Sequence, residues 1–279
     1  MIHMEERHLH ILKSILSGYD CSFFLFGSRI TDRAKKFSDV DLLYFETLPN
    51  SLLLKLEEEL EESDLPYTVD LVDYKKCDED FRQLIGNAYI CLQSSTQLSL
   101  IEQNTMGHFT FFPKLLGYEV HTVNEVTIIR CDLGSSMFNI AHGTVAESNV
   151  SALIEEIKEA FCGQPFAWWI PPSQRRPSLT KHLLESGFTI ECSEHAMICD
   201  LTVSGELQLM TGLRVQQVTG GQTLQDFIGV LETYDDSIRT FYEKITPDQL
   251  QLQERLWVGY VDHRPVTIAI TFVQGNSGG

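Results

Sequence analysis

The segment FLFGSRITDRAKKFSDVDLLYF, residues 24–45, places two carboxylates one residue apart in an apolar stretch. The apolar residues at its start predict a buried strand, and DVDLLYF predicts a second strand. Because side chains alternate along a strand, Asp39 and Asp41 should share one face. Two carboxylates on one face suggest a metal site. The alternative is an acidic strand end that is simply exposed to solvent.

A third carboxylate is available in the next predicted strand, YTVDLVDY, residues 67–74. Asp70 and Asp73 lie three residues apart, so they point to opposite faces and only one of them can join the same site. Asp70 is the candidate. Three carboxylates supply the hard oxygen ligands that divalent cations prefer, so the sequence predicts a site for two Mg²⁺ ions, with Mn²⁺ as the alternative cation.

Between the first two strands lies a turn suited to phosphate. Gly27 lets the backbone approach a phosphate closely, and the hydroxyl and amide groups of Ser28 can hold it. Arg29 would add a cation for the phosphate tail. Together with the carboxylates, the turn predicts in-line attack on the α-phosphate of a nucleoside triphosphate (NTP) with release of pyrophosphate.

Residues 23–92 resemble the minimal nucleotidyltransferases of the DNA polymerase β superfamily, whose pattern is G-S, a short helical spacer, D-x-D and a later strand Asp. Here Ser28 and Asp39 are eleven positions apart, and VDLVD follows. The resemblance implies an α/β domain with a mixed sheet and flanking helices. It also implies that Gly27 and Ser28 bind the triphosphate, that Asp39, Asp41 and Asp70 carry magnesium, and that Asp70 helps to deprotonate the acceptor hydroxyl.

The later part of the chain is similar to the Gcn5-related acyltransferases. The similarity is carried by PFAWWIPPSQRRPSLTKHLLESGF (165–188), AMICDL (196–201), LRVQQV (213–218), LQDFIGVLETY (224–234) and WVGYVDHRPVTIAITFV (257–273). It implies an α+β region, which is expected to be incomplete at its C-terminus because no glycine-rich cofactor loop follows the last strand. Acetyl-CoA binding is therefore not expected. The predicted domains are residues 1–98 and 99–279.

Within that later part, Ser178 is predicted to cap a helix, and Arg175 and Arg176 stand among prolines. An exposed loop is the simpler interpretation of the two arginines, and a phosphate contact is the alternative.

Composition limits the partners. Lys and Arg total 21 against 39 Asp and Glu, a net charge of −18, which argues against broad nucleic-acid binding and against an anionic membrane surface. The N-terminus MIHMEERHLHILKSIL does not have the pattern of a signal peptide, and no apolar run is long enough to span a bilayer, so a cytoplasmic protein is expected. The seven cysteines contain no C-x-x-C pair and are expected to be reduced and mostly buried.

These observations predict a magnesium-dependent enzyme that moves an NMP, with AMP as the expected group, from an NTP to a hydroxyl acceptor. The acceptor is a small molecule or a protein, and a protein partner or a homodimer is possible. One alternative is a non-catalytic module that binds a nucleotide or a partner, as an antitoxin does. Another is an acetyltransferase, if the natural chain extends past Gly279.

Overall fold

The computed structural model describes residues 2–86, 88–143, 145, 149–194, 197, 199, 212–275 and 277–279, and the chain divides into two compact units. The first unit comprises Met1–Ser99, Thr144–Ile154 and Ile170–Cys192, and the second comprises Leu100–Gly143, Glu155–Trp169 and Ser193–Gly279. The predicted domain division at residues 98 and 99 stays a prediction. In the described part of the chain, no helix combines the length and apolar character needed to cross a bilayer.

The first unit contains a four-stranded mixed sheet of order β3-β2-β1-β4. Strand β2 runs parallel to β3, whereas β1 is antiparallel to both β2 and β4. The strands are Phe23–Phe26 (β1), Val40–Tyr44 (β2), Val69–Asp73 (β3) and Ile90–Gln93 (β4). The helices that precede or connect them are Glu6–Leu16 (α1), Asn50–Glu61 (α2) and Glu79–Ile85 (α3). The predicted mixed sheet with flanking helices is confirmed.

Both faces of this sheet are covered, which explains why the strands are almost continuously apolar. One face packs Leu25 and Leu42 into a cluster with Leu12 of α1 and Leu56 of α2. The opposite face carries a second cluster, whose buried members are Phe24, Phe26, Leu43, Ile85 and Tyr89. We call this second side the α3 face, because Ile85 belongs to α3. The alternation that buries Leu42 and Leu43 on opposite sides also decides where the neighbouring carboxylates point.

A segment from the middle of the chain completes the first unit. Helix α6, Pro177–Glu185, follows a 3₁₀ turn at Pro172–Gln174 that contacts β4. The predicted Ser178 cap is wrong, because the helix starts one residue earlier at Pro177. Proline suits a first helical position, since its fixed φ matches the helix and its missing N–H would have no intrahelical partner there.

The second unit has an α+β composition with two four-stranded sheets, of orders β5-β6-β7-β8 and β12-β11-β10-β9. The first contains Glu119–Val123 (β5), Val126–Arg130 (β6), Ile140–Gly143 (β7) and Ala167–Trp169 (β8). The second contains Arg214–Gln217 (β9), Glu254–Val261 (β10), Arg264–Gln274 (β11) and Ser277–Gly278 (β12). The helices of this unit are Gly221–Leu231 (α7) and Ser237–Tyr242 (α8), whereas Thr96–Leu115 (α4) and Val150–Ala160 (α5) begin in the first unit and end in the second. Most of AMICDL lies outside the described residues.

All seven cysteines are described, and no two of them are joined by a disulfide. The expectation that most are buried is wrong, since only Cys21 and Cys131 are buried. Burial raises the pKa of the Cys131 thiol to about 12, and the neighbouring Asp132 charge adds to the shift. These two thiols are therefore protonated core side chains rather than nucleophiles.

Candidate active site

The sheet register brings two of the predicted carboxylates side by side. Asp41 on β2 is paired with Asp70 on parallel β3 and with Phe26 on antiparallel β1. Paired residues of neighbouring strands point to the same face, and the strands are about 4.8 Å apart. Because Phe26 belongs to the cluster on the α3 face, Asp41 and Asp70 lie on that face too.

Asp39 is the third carboxylate of the group. It lies immediately before β2 and two residues before Asp41, so alternation directs it to the same side. Asp39 and Asp70 are exposed, whereas Asp41 is partly buried. Burial raises the pKa of Asp41, and the negative charges of Asp70 and Asp39 raise it further. The three carboxylates therefore act on one another electrostatically, as groups that share one site do.

The carboxylate oxygens of these three residues are suitable ligands for a divalent cation. Carboxylate oxygens are the hard ligands that Mg²⁺ prefers, and a cation would relieve the repulsion that raises the pKa of Asp41. Among the described residues, however, no three His, Cys, Asp or Glu side chains lie close enough together, as they stand, to hold a metal ion. The two exposed carboxylates leave the site open to solvent, as a site that also receives phosphate oxygens requires.

The competing carboxylate, Asp73, is paired with Tyr44 rather than Asp41. Its side chain accepts a hydrogen bond of 3.0 Å from the Lys75 backbone N–H and lies 3.2 Å from the Lys76 ammonium. Asp73 therefore caps the 3₁₀ turn at Tyr74–Lys76. The register supports the choice of Asp70 over Asp73 for the site.

The Gly27-Ser28 turn is seated directly against the central carboxylate. Gly27 has a φ of +73°, and a Cβ at this position would collide with the Asp41 carboxylate oxygen and lie 3.1 Å from its Cγ. The position therefore requires glycine both for backbone conformation and for space. Residues Gly27–Ile30 form a short 3₁₀ helix, and both Gly27 and Ser28 are partly buried. The turn and the carboxylate thus form one continuous surface.

Arg29, the third residue of that turn, points elsewhere. Its guanidinium is buried, donates a 2.9 Å hydrogen bond to the His3 carbonyl and a second one to the Ser38 carbonyl, and stacks 3.9 Å from the Tyr67 ring centroid. Tyr67 packs with the α1 and α2 cluster, on the side opposite the carboxylates. These contacts give Arg29 a structural role in holding the turn, and its phosphate contact stays a prediction.

Arg175 is not a freely exposed loop residue, contrary to the simpler interpretation of its sequence context. It is partly buried, and its Nη1 donates a 2.6 Å hydrogen bond to the Tyr89 hydroxyl. Tyr89 belongs to the cluster on the α3 face, the face of Asp41. Because the two residues lie 86 positions apart, no local sequence pattern connects them. The only signal in the sequence is that an arginine can bind phosphate.

The first part of the chain is similar to known nucleotidyltransferases. The family model described as polymerase beta, nucleotidyltransferase matches residues 12–97. A probable protein adenylyltransferase, MntA, from Haemophilus influenzae is 39% identical over 94 residues, which cover 32% of this chain and 82% of that protein. A GCN5-related N-acetyltransferase from Kribbella flavida resembles the structure with a TM-score of 0.45 and 13% identity, covering 62% of this chain and 68% of the other. That structural similarity is too low to bear on activity. Because this chain is 39% identical to MntA over 82% of that protein, it belongs to the polymerase β nucleotidyltransferase family, whose model matches residues 12–97.

Proposed function

We propose that the first unit transfers AMP from ATP to a hydroxyl group of an acceptor and releases pyrophosphate. The observation that carries the proposal is the alignment of Asp41 with Asp70 on one sheet face, with Asp39 beside them and Gly27 against the Asp41 carboxylate. The mutual effect of the three carboxylates on the pKa of Asp41 supports their action as one group.

In the proposed reaction, the acceptor oxygen forms a bond to the α-phosphorus, and the bond from that phosphorus to the α–β bridging oxygen breaks. Pyrophosphate leaves with the bridging oxygen, and Asp70 receives the proton of the acceptor hydroxyl. Asp39, Asp41 and Asp70 would hold two Mg²⁺ ions, with Mn²⁺ as a substitute. When bound, these cations would neutralise phosphate charge and lower the pKa of the attacking hydroxyl.

The turn has a separate task. The Gly27 backbone is close enough to Asp41 that a phosphate at the turn would also lie beside the carboxylates. Ser28 would bind the triphosphate through its hydroxyl and backbone amide. Arg29 keeps the turn in place through its backbone contacts. Binding and reaction groups are thereby fixed at adjacent positions of one rigid sheet.

We further propose a protein hydroxyl as the acceptor, because the relative with 39% identity is described as a probable protein adenylyltransferase. Seven cysteines without a disulfide among them are compatible with the proposed cytoplasmic, reducing location. A small-molecule acceptor would leave the roles of the three carboxylates unchanged.

The test is an intact-mass search for a nucleotidyl adduct after incubation of the purified chain with ATP, Mg²⁺ and lysate proteins from its source. We expect an AMP adduct on an acceptor that requires Mg²⁺ and is lost with Asp41→Asn. The matched control is Asp73→Asn, which removes a carboxylate from the same sheet but from outside the site. An adduct formed equally by wild type and Asp41→Asn would contradict the proposal.

A further inference from the structure

Arg175 is held at the edge of the same sheet face by contacts that include the Tyr89 side chain. Its Nη1 lies 2.6 Å from the Tyr89 hydroxyl, and its Cζ lies 5.1 Å from the centroid of the Tyr89 ring. The preceding 3₁₀ turn, Pro172–Gln174, contacts β4, the strand that follows Tyr89. Tyr89 is itself 8% exposed, so this anchor belongs to the packed interior of the unit.

The position of Tyr89 can be read from the register. Ile90 pairs with Leu25, so Tyr89 lies one residue further toward the end of β1 at which Gly27 stands. Its ring contacts the Phe24 ring at 5.3 Å between centroids, on the α3 face. From Asp41 to Tyr89 the separation is two strand spacings, about 10 Å.

Across this end of the sheet the groups follow one order. Asp70 stands on β3, Asp41 on β2, the buried Phe26 with the Gly27-Ser28 turn directly after it on β1, and Tyr89 with Arg175 at β4. Negative side chains thus occupy one end of the row, and a cation occupies the other, with the phosphate-binding turn between them. A triphosphate whose α-phosphorus lies near Asp41, with its acceptor on the Asp70 side, would direct its remaining phosphates past the turn toward β4.

We propose that Arg175 binds the β- and γ-phosphates of the NTP and the pyrophosphate that leaves. This inference rests on the proposed function and adds a binding residue to it. A chain with a net charge of −18 needs a local cation to hold a triphosphate, and the guanidinium of Arg29 is committed to the opposite face. Arginine matches phosphate well because its planar group carries several donors and stays charged.

Arg82, another arginine of this unit, also lies beside a tyrosine ring, but far from the carboxylates. Arg82 lies 5.1 Å from the Tyr74 ring centroid and donates to the Lys75 carbonyl, beyond the last residue of β3. Asp70 is the second residue of that strand, so Arg82 stands at the far end of the face from the carboxylates. Arg82 is therefore too far along the sheet to serve the same phosphates.

The test compares the affinities of α,β-methylene-ATP, AMP and pyrophosphate by calorimetry with Mg²⁺ present. Arg175→Gln should bind the ATP analogue and pyrophosphate about tenfold to a hundredfold more weakly, as expected for loss of a charge-assisted hydrogen bond to phosphate, while AMP binding stays unchanged. Arg175→Lys should restore part of the loss. Tyr89→Phe, which removes only the positioning hydroxyl, should produce a smaller loss with the same selectivity.

Lys181→Gln is the matched control, because it removes one positive charge from the same segment of the chain. The Lys181 ammonium lies 3.8 Å from the Glu185 carboxylate on an exposed part of α6. This control should bind all three ligands like the wild type.

Equal affinity of wild type and Arg175→Gln for the ATP analogue would overturn the inference and leave the proposed function standing. A parallel loss of AMP binding in Arg175→Gln would also overturn it, since the arginine would then only support the fold. If the wild type binds neither the ATP analogue nor AMP, the proposed function fails, and the inference fails with it.

Discussion

Replacing Gly27 with alanine should disable the nucleotide site at a modest cost in stability. The φ of +73° costs an alanine about 1 kcal/mol. The new Cβ would also collide with the Asp41 carboxylate, which must rotate away at a further cost of about 1 kcal/mol for a non-ideal rotamer. We therefore expect a loss of roughly 2 kcal/mol in the free energy of unfolding and loss of Mg²⁺-dependent ATP binding.

The matched control is Gly117→Ala. Gly117 has a φ of +76°, and no described atom lies within 4 Å of a Cβ placed there. This variant should carry the backbone cost of about 1 kcal/mol alone and retain ATP binding. The assay is denaturant unfolding of both variants together with calorimetric titration of ATP and Mg²⁺. Wild-type ATP affinity in Gly27→Ala would refute the claim that the turn and the Asp41 carboxylate form one site.

Four further outcomes can be measured. Ser28→Ala should weaken ATP binding by about 1 to 3 kcal/mol without changing Mg²⁺ binding in the absence of nucleotide. Equal ATP affinities of the wild type and this variant, measured by calorimetry, would show that the turn does not bind phosphate. Mg²⁺ should raise the Tm of the wild type, whereas the double variant Asp39→Asn with Asp41→Asn should show no such rise. Burial and the Asp70 charge raise the pKa of Asp41 in the folded state above its unfolded value. In the cation-free protein, this shift stabilises the folded state below the unfolded pKa, and the stabilisation is lost as the pH rises through the folded pKa. The Mg²⁺-induced rise in Tm should therefore grow with pH over that acidic interval, and Asp41→Asn should flatten the dependence. Arg29→Ala should lower the free energy of unfolding by about 3 kcal/mol, because two backbone carbonyls lose a charged donor, and an unchanged denaturation midpoint would show that these contacts contribute nothing.

The sequence predicts best those parts of the site that follow from side-chain alternation within a single strand. Strand alternation puts Asp39 and Asp41 on one face and separates Asp70 from Asp73. The choice between Asp70 and Asp73 needs the register of two parallel strands, which depends on how the intervening α2 packs. The structure supplies that register by pairing Asp70 with Asp41.

Other features depend on packing that periodicity does not encode. The direction of Arg29 is set by a single 3₁₀ turn and by Tyr67, which lies far along the chain. The contact of Arg175 with Tyr89 joins residues 86 positions apart, after the chain has passed through β4 and all four strands of the β5-β6-β7-β8 sheet. Nothing in a local window around residues 170–192 indicates that this segment belongs to the first unit.

The central claim is that the phosphorus transferred to the acceptor is the α-phosphorus, and positional labelling of ATP tests it most directly. Purified chain, Mg²⁺ and the acceptor fraction are incubated in parallel with ATP radiolabelled at the α- or the γ-phosphorus, using Asp41→Asn as the inactive comparison. The account predicts that acceptor protein retains the α label only, that the γ label leaves in pyrophosphate, and that Asp41→Asn retains neither. Retention of the γ label on the acceptor, or of the α label by Asp41→Asn at the wild-type level, would contradict it.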